Sequence, residues 1–339
     1  MTLGNKRYKI IVKAMLIDTC LHDLKYDNYV KTDKALLMYA KGGYTRVSAK
    51  IIFIGNYKGG VGKTTSALNF GEYFTKEDKR VLVLDIDPQS SLSEILMAYN
   101  GTGSLVDLPD EETLNYIFDL NIAKIEKYPC MELNFDNSLI KHHQSGFDFV
   151  PSSLFYRNNR GLDAIALLMK DNIQYLSILK NWVDTVSENY DYILIDCPPS
   201  DNLITRSAFL MSHYYVIPTV LDGLSTNGVI HYINTVEDTY DRYCGKNQED
   251  YLLARHFFGE MPKLIGIFYN LIRGQVNYEK ARDDFERALD NMTKYGKNIM
   301  LDCQVNNYIA IARSTPKGEA AVEKADFRNL AQEIMRRIL

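Results

Sequence analysis

The stretch NYKGGVGKTTS, Asn56 to Ser66, decides how this chain is read. A phosphate loop of the general form GxxxxGK[ST] has glycines that let backbone N–H groups turn inward and one lysine that reaches the outer phosphates. Gly62, Lys63 and Thr64 fit the end of that form, but Tyr57 stands where its first glycine belongs, and a second lysine, Lys58, precedes the glycines. The variant xKGGxGK[ST] is what remains. Its surroundings suit a phosphate loop: the apolar run Ile51 to Gly55 reads as a strand before it, and Thr65, Ala67, Leu68, Phe70, Tyr73 and Phe74 as a helix after it. The start of such a helix offers free N–H groups and a positive dipole end to an anion. Gly59, Gly60 and Gly62 permit close backbone approach around Val61. Lys63 neutralises phosphate charge, and the Thr64 hydroxyl can ligate Mg2+.

Outward from this loop, short β-branched runs alternate with longer amphipathic stretches, the pattern of an α/β fold with a mostly parallel twisted sheet and helices on both faces. Strands are expected at Ile51 to Gly55, Arg80 to Asp85, Phe147 to Val150, Tyr190 to Asp196, Tyr214 to Pro218, Leu264 to Tyr269 and Ile299 to Leu301. Helices are expected at Lys63 to Thr75, Gly161 to Glu188, Thr226 to Tyr243, Asn277 to Thr293 and Lys317 to Ile338, with a short one near Thr113 to Leu120. The composition changes near Ser48 to Lys50. Residues 1–49 therefore read as an N-terminal extension and 50–339 as one large domain.

The 339 residues are 46% hydrophobic and 24% charged, which excludes disordered and fibrous classes. No run approaches the roughly 18 apolar residues of a membrane span, and Lys13 interrupts the apolar start of the chain, so a cytoplasmic protein is expected. The five cysteines are far apart and form no CxxC pair; they read as buried thiols. The net charge of −4 hides an asymmetry, since residues 1–50 hold ten basic against four acidic residues. Such an arm is suited to a polyanion, DNA or an anionic membrane surface, or merely to solubility.

KGGVGKTT resembles the deviant Walker motif of the ParA/MinD ATPases, and further motifs follow in the family's order. VLVLDIDPQSSLS, Val81 to Ser93, is similar to the switch I strand of the ParA (chromosome and plasmid partitioning, Soj-like) branch, and YDYILIDCPPS, Tyr190 to Ser200, to its Walker B and switch II segment. The resemblance covers about residues 50 to 339. It implies a P-loop NTPase fold, ATP and Mg2+ as cofactors, and ATP hydrolysis. Lys58 matches the signature lysine that crosses a dimer interface to the neighbour's nucleotide, so an ATP-dependent homodimer is implied. Asp196, at the end of an apolar strand, matches the Walker B aspartate near Mg2+. Asp87 matches the residue that orients or activates the attacking water, Gln89 is a candidate switch residue, and Asp85 reads as a strand-end hydrogen-bonding group. Asn270 and Pro316 stand where relatives often hold adenine, although Asn270 also suits a capping role.

The same resemblance implies non-specific DNA binding by the ATP dimer, stimulation by a ParB-like centromere-binding protein, and a nucleoid-associated location. Arg273, Lys280, Arg282 and Arg313 are the candidate phosphate contacts, diluted by Glu279, Asp283, Asp284 and Glu286. The competing class is a MinD-like membrane-surface positioning ATPase. Phe327, Leu330, Ile334 and Ile338 lie at helical spacing and could form an anchor, or the inner face of a packed final helix.

Overall fold

The computed structural model describes residues 49–101, 103–222, 225–248, 250–274, 276–307, 317 and 325–338. Residues 1–48 of the extension, Arg313 and Pro316 lie outside these. In chain order the elements are β1 (Lys50–Ile54), α1 (Lys63–Lys76), β2 (Val81–Asp85), α2 (Ser91–Asn100), α3 (Leu114–Glu126), β3 (Lys141–His142) and β4 (Asp148–Val150). Then come α4 (Leu162–Ala166), α5 (Ile173–Leu176), α6 (Ile178–Val186), β5 (Tyr192–Asp196), α7 (Leu203–Leu210) and β6 (Tyr214–Thr219). The last are α8 (Ser225–Cys244), α9 (Tyr251–Phe258), β7 (Lys263–Tyr269), α10 (Glu279–Met292) and α11 (Ala325–Ile338). Residues 120–134, the end of α3 and the turn in which Tyr128 N donates to Ala123 O (3.1 Å), belong to one unit of the chain. The sheet and the site described below lie in the other.

Seven strands form one sheet in the order β3-β4-β2-β5-β1-β6-β7, parallel except for the β3–β4 pair. Alternation along β1 shows how the sheet is covered. Ile52 and Ile54 join Ala67, Leu68 and Phe70 of α1 in one core, whereas Phe53 meets Phe209 of α7 edge-on at 5.7 Å. On the α1 side, Phe70 also packs against Phe268 and against Phe327 of α11, both at 6.2 Å. Phe327, Leu330, Ile334 and Ile338 are all buried, so the apolar face of α11 is spent on the core. Leu330→Ala is expected to destabilise the chain by about 2–5 kcal/mol, read as a lower urea midpoint at unchanged slope.

Three expectations need correction. Gly161 to Glu188 is not one helix but α4, α5 and α6, because Asn172 leaves helical geometry (φ −150°) and caps a new turn by accepting from Tyr175 N at 3.2 Å. Ile299 to Leu301 is not a strand. Leu301 N and Val305 N do donate to Ile267 O and Tyr269 O of β7 (both 2.8 Å), but between them Asp302 N and Cys303 N turn away to the carboxylate of Glu333 on α11 (both 3.0 Å), which breaks the ladder. Finally, Cys130 is exposed, unlike buried Cys197 and Cys244. Helix α2, whose Leu92, Leu96 and Met97 are buried at helical spacing, is an element not among those expected from the sequence.

Candidate functional site

The C-terminal ends of β1, β2 and β5 converge because their neighbours pair in parallel register, Ile54 with Asp196 and Asp85 with Asp196. From β1 the chain enters the loop through Gly55, where a Cβ would lie 1.8 Å from the Tyr232 hydroxyl. Asn56 then pins the loop from both sides: its Nδ2 donates to Pro218 O and its Oδ1 accepts from Lys58 N, both at 2.9 Å. Tyr57, at the missing glycine, packs edge-on against Tyr232 at 4.8 Å, and burial pushes its hydroxyl pKa up to about 12. The turn closes at Gly62 (φ 83°), whose missing Cβ would sit 2.3 Å from Asn270 Nδ2, and α1 begins at Lys63.

Lys63 is 7% exposed and its Nζ donates to the Lys58 carbonyl at 3.0 Å. Burial lowers its pKa, while Asp196 and Asp87 act in the opposite direction. Asp196 is fully buried, and among the described residues its carboxylate oxygens lack a hydrogen bond of good geometry, with the Thr64 hydroxyl as a neighbour that favours the charged form. Burial raises its pKa well above the usual carboxylate range; Asp85 adds to this, and Thr64 and Lys63 partly oppose it. A buried carboxylate without donors is costly, and a divalent cation held beside the Thr64 hydroxyl is a group that would satisfy it. The residues present therefore fit Mg2+.

Asp85 and Asp87 occupy different environments. Asp85 is buried and accepts from Ser93 N (2.8 Å) and Ser93 Oγ (2.7 Å), so it is a strand-end hydrogen-bonding group. Asp87 lies past the strand in a turn, half-buried, with Oδ1 accepting from the N–H of exposed Gln89 at 2.9 Å. Lys58 is ion-paired with Asp222, just beyond β6 of the same chain. Asn270 is 2% exposed and braces the loop from behind, donating to Val61 O and accepting from Leu271 N, both at 2.9 Å. Its amide thus already has protein partners on both the donor and acceptor sides. Arg273 and Lys280 are exposed, whereas Arg282 is half-buried, bonded to Gln304 and placed 5.1 Å over the Tyr269 ring. The parts played by Asp222 and Ser152 are visible only once the fold joins distant segments.

A family described as an AAA domain matches residues 49–249. An uncharacterised protein of Methanocaldococcus jannaschii is 32% identical over 83% of this chain and 93% of its own length. The sporulation initiation inhibitor protein Soj of Bacillus subtilis is 33% identical over 55% of the chain; that match spans 64% of Soj, and the first curated relatives are likewise covered over less than two thirds of their length. Among solved structures, a putative plasmid partition protein of Borrelia burgdorferi B31 bound to AMPPNP shares the fold, with a TM-score of 0.60 at 19% identity over 86% of this chain and 98% of that one. With the loop, the switch I turn and the buried aspartate at the ends of β1, β2 and β5, these likenesses place the chain in the ParA/Soj-like family of deviant Walker A P-loop proteins, to which it belongs.

Proposed function

We propose that this chain is an ATPase that partitions or positions a DNA cargo. ATP binds in loop 56–66, two copies close face to face around the nucleotides, and the dimer binds DNA without sequence preference until a ParB-like partner stimulates hydrolysis. Residues 50–339 form the ATPase domain, and the basic extension 1–49 adds a site for polyanions; the setting is the cytoplasm, on the nucleoid. The observation that carries this reading is the buried carboxylate of Asp196, short of hydrogen bonds among the described residues and set beside Lys63 and Thr64.

In this reading the backbone from Gly59 to Thr65 cradles the phosphates, and Lys63 neutralises their charge within its own protomer. Lys58 supplies a cation to the neighbour's triphosphate, without which two facing polyphosphates repel. Thr64 and Asp196 would hold Mg2+, which supplies further neutralisation of charge. Asp87, half-buried on its turn, orients the attacking water. Asn270 supports the nucleotide by holding Val61 and Gly62 in place, and Pro316 belongs to the adenine side. Partition is the role the name of the Borrelia relative carries, and Soj supports the same branch.

The MinD-like alternative needs an apolar helix face available to lipid, and the apolar face of α11 is buried. No described helix is long and apolar enough to cross a membrane. The test is a titration of DNA binding by the full chain against salt, with and without ATP and Mg2+. Binding should require ATP and weaken steeply, with a slope of about −0.9 per phosphate contacted. A chain that ignores DNA and binds anionic vesicles in the ATP state would overturn the DNA reading in favour of the membrane one.

A further inference from the structure

The turn that carries Asp87 is fastened from beneath by two strands. Asp85, at the end of β2, accepts from Asp87 N at 3.0 Å as well as from Ser93 N and Ser93 Oγ. Ser152, fully buried just past β4, donates its N–H to Ser93 Oγ at 2.9 Å and its hydroxyl to Ser90 Oγ at 3.0 Å; the same hydroxyl lies 3.5 Å from the Asp87 carbonyl oxygen. Ser90 is held at φ 52°, a left-handed conformation unusual for serine, and its N–H donates to Asp87 O at 2.8 Å. Ser90, Ser93 and Ser152 are each no more than 1% exposed.

Buried hydroxyls are costly unless bonded, and a fully bonded buried network rigidifies what it touches. Here the bonds converge on both ends of one turn, the stretch from Asp85 to Ser90. The Asp87 carboxylate itself accepts none of the network's hydroxyl bonds; its Oδ1 meets Gln89 N. The serines and Asp85 therefore fix the backbone from which the Asp87 side chain projects, and leave the carboxylate available.

We propose that Ser152 and Asp85 are positioning residues for hydrolysis, setting the direction of the Asp87 carboxylate through the turn they hold. This rests on the reading of Asp87 as the group that orients water. Displacement of such a group by about 1 Å can cost as much as ~100-fold in rate, whereas nucleotide binding, built on a different loop, is not affected by it. Ser152 comes from another strand, so the end of β4 is tied to hydrolysis without contacting nucleotide.

The experiment is single-turnover hydrolysis of ATP with Mg2+ by the full chain, alongside ATP affinity from a fluorescent analogue, for Ser152→Ala, Asp85→Asn, Asp87→Ala and the Ser152→Ala/Asp87→Ala double variant. Ser152→Ala should slow hydrolysis about tenfold or more with ATP affinity unchanged, Asp85→Asn should slow it at least as much, and the double variant should be no slower than Asp87→Ala. A wild-type rate for Ser152→Ala while Asp87→Ala is slow would overturn the proposal and leave the reading of Asp87 intact. Equal losses of affinity and rate, or additive losses in the double variant, would also overturn it, since those mark a merely structural role. A wild-type rate for Asp87→Ala would instead sink the reading of Asp87 and this proposal with it. Where Ser152→Ala does not fold, Ser90→Ala removes the acceptor from the other side of the same bond and is measured in the same way.

Discussion

Lys63→Ala is expected to lose ATP binding almost entirely while the chain stays folded. The ammonium sits at the first position of α1, 7% exposed, where a triphosphate cradled by the loop would lie against it. Two charge-assisted hydrogen bonds at about 2 kcal/mol each amount to roughly a thousandfold in affinity. Stability should move little. A buried ammonium carries a desolvation cost that its single bond to the Lys58 carbonyl offsets only in part, so removing it brings a gain as well as a loss. Isothermal titration with ATP and Mg2+ reads the first effect and a thermal melt the second. A variant that binds ATP within about tenfold of the unmodified chain would show that phosphate is held elsewhere.

Lys58→Ala is expected to bind ATP but fail to form the ATP dimer, with the dimer dissociation constant raised at least about a hundredfold. The ion pair with Asp222 makes this prediction sharper. Lys58 and Asp222 are 31% and 46% exposed at their side chains, and such surface pairs are worth about 0–1 kcal/mol, so the fold should survive the loss of either. If Lys58 served only to hold Asp222, Asp222→Asn would reproduce the defect of Lys58→Ala. If Lys58 serves the neighbour's nucleotide, Asp222→Asn removes a competitor for its charge, and the dimer should be as tight or tighter. Light scattering of both variants with ATP and Mg2+ separates the two outcomes, and matching defects would refute the role across the interface.

What the sequence makes legible here follows from how local the physics is. The phosphate loop, the strand before it and the helix after it are encoded within about 25 residues, and their alternation of apolar runs suffices for the sheet. Asp196 is legible because it ends an apolar strand. The second buried carboxylate beside it is not, since that depends on β2 placing Asp85 next to it in the ladder. Asp222 and Ser152 lie 164 residues from Lys58 and 62 from Ser90, and no spacing rule joins such positions. The reading of Ile299 to Leu301 as a strand fails for the same reason. Its composition is right, but Glu333, some thirty residues on, withdraws two N–H groups from the ladder.

That diversion by Glu333 also shapes the margin of the sheet. β7 is the last strand of the sheet, and an open strand there would be a template for seam-to-seam growth. Instead, the segment beside it is tethered by Glu333, and Arg337 occupies the carbonyls of Ile265 (3.2 Å) and Met300 (2.9 Å), while the opposite margin ends in a strand only two residues long. Among the described residues, both margins are thus blunted, and neither presents a long open strand for seam-to-seam pairing.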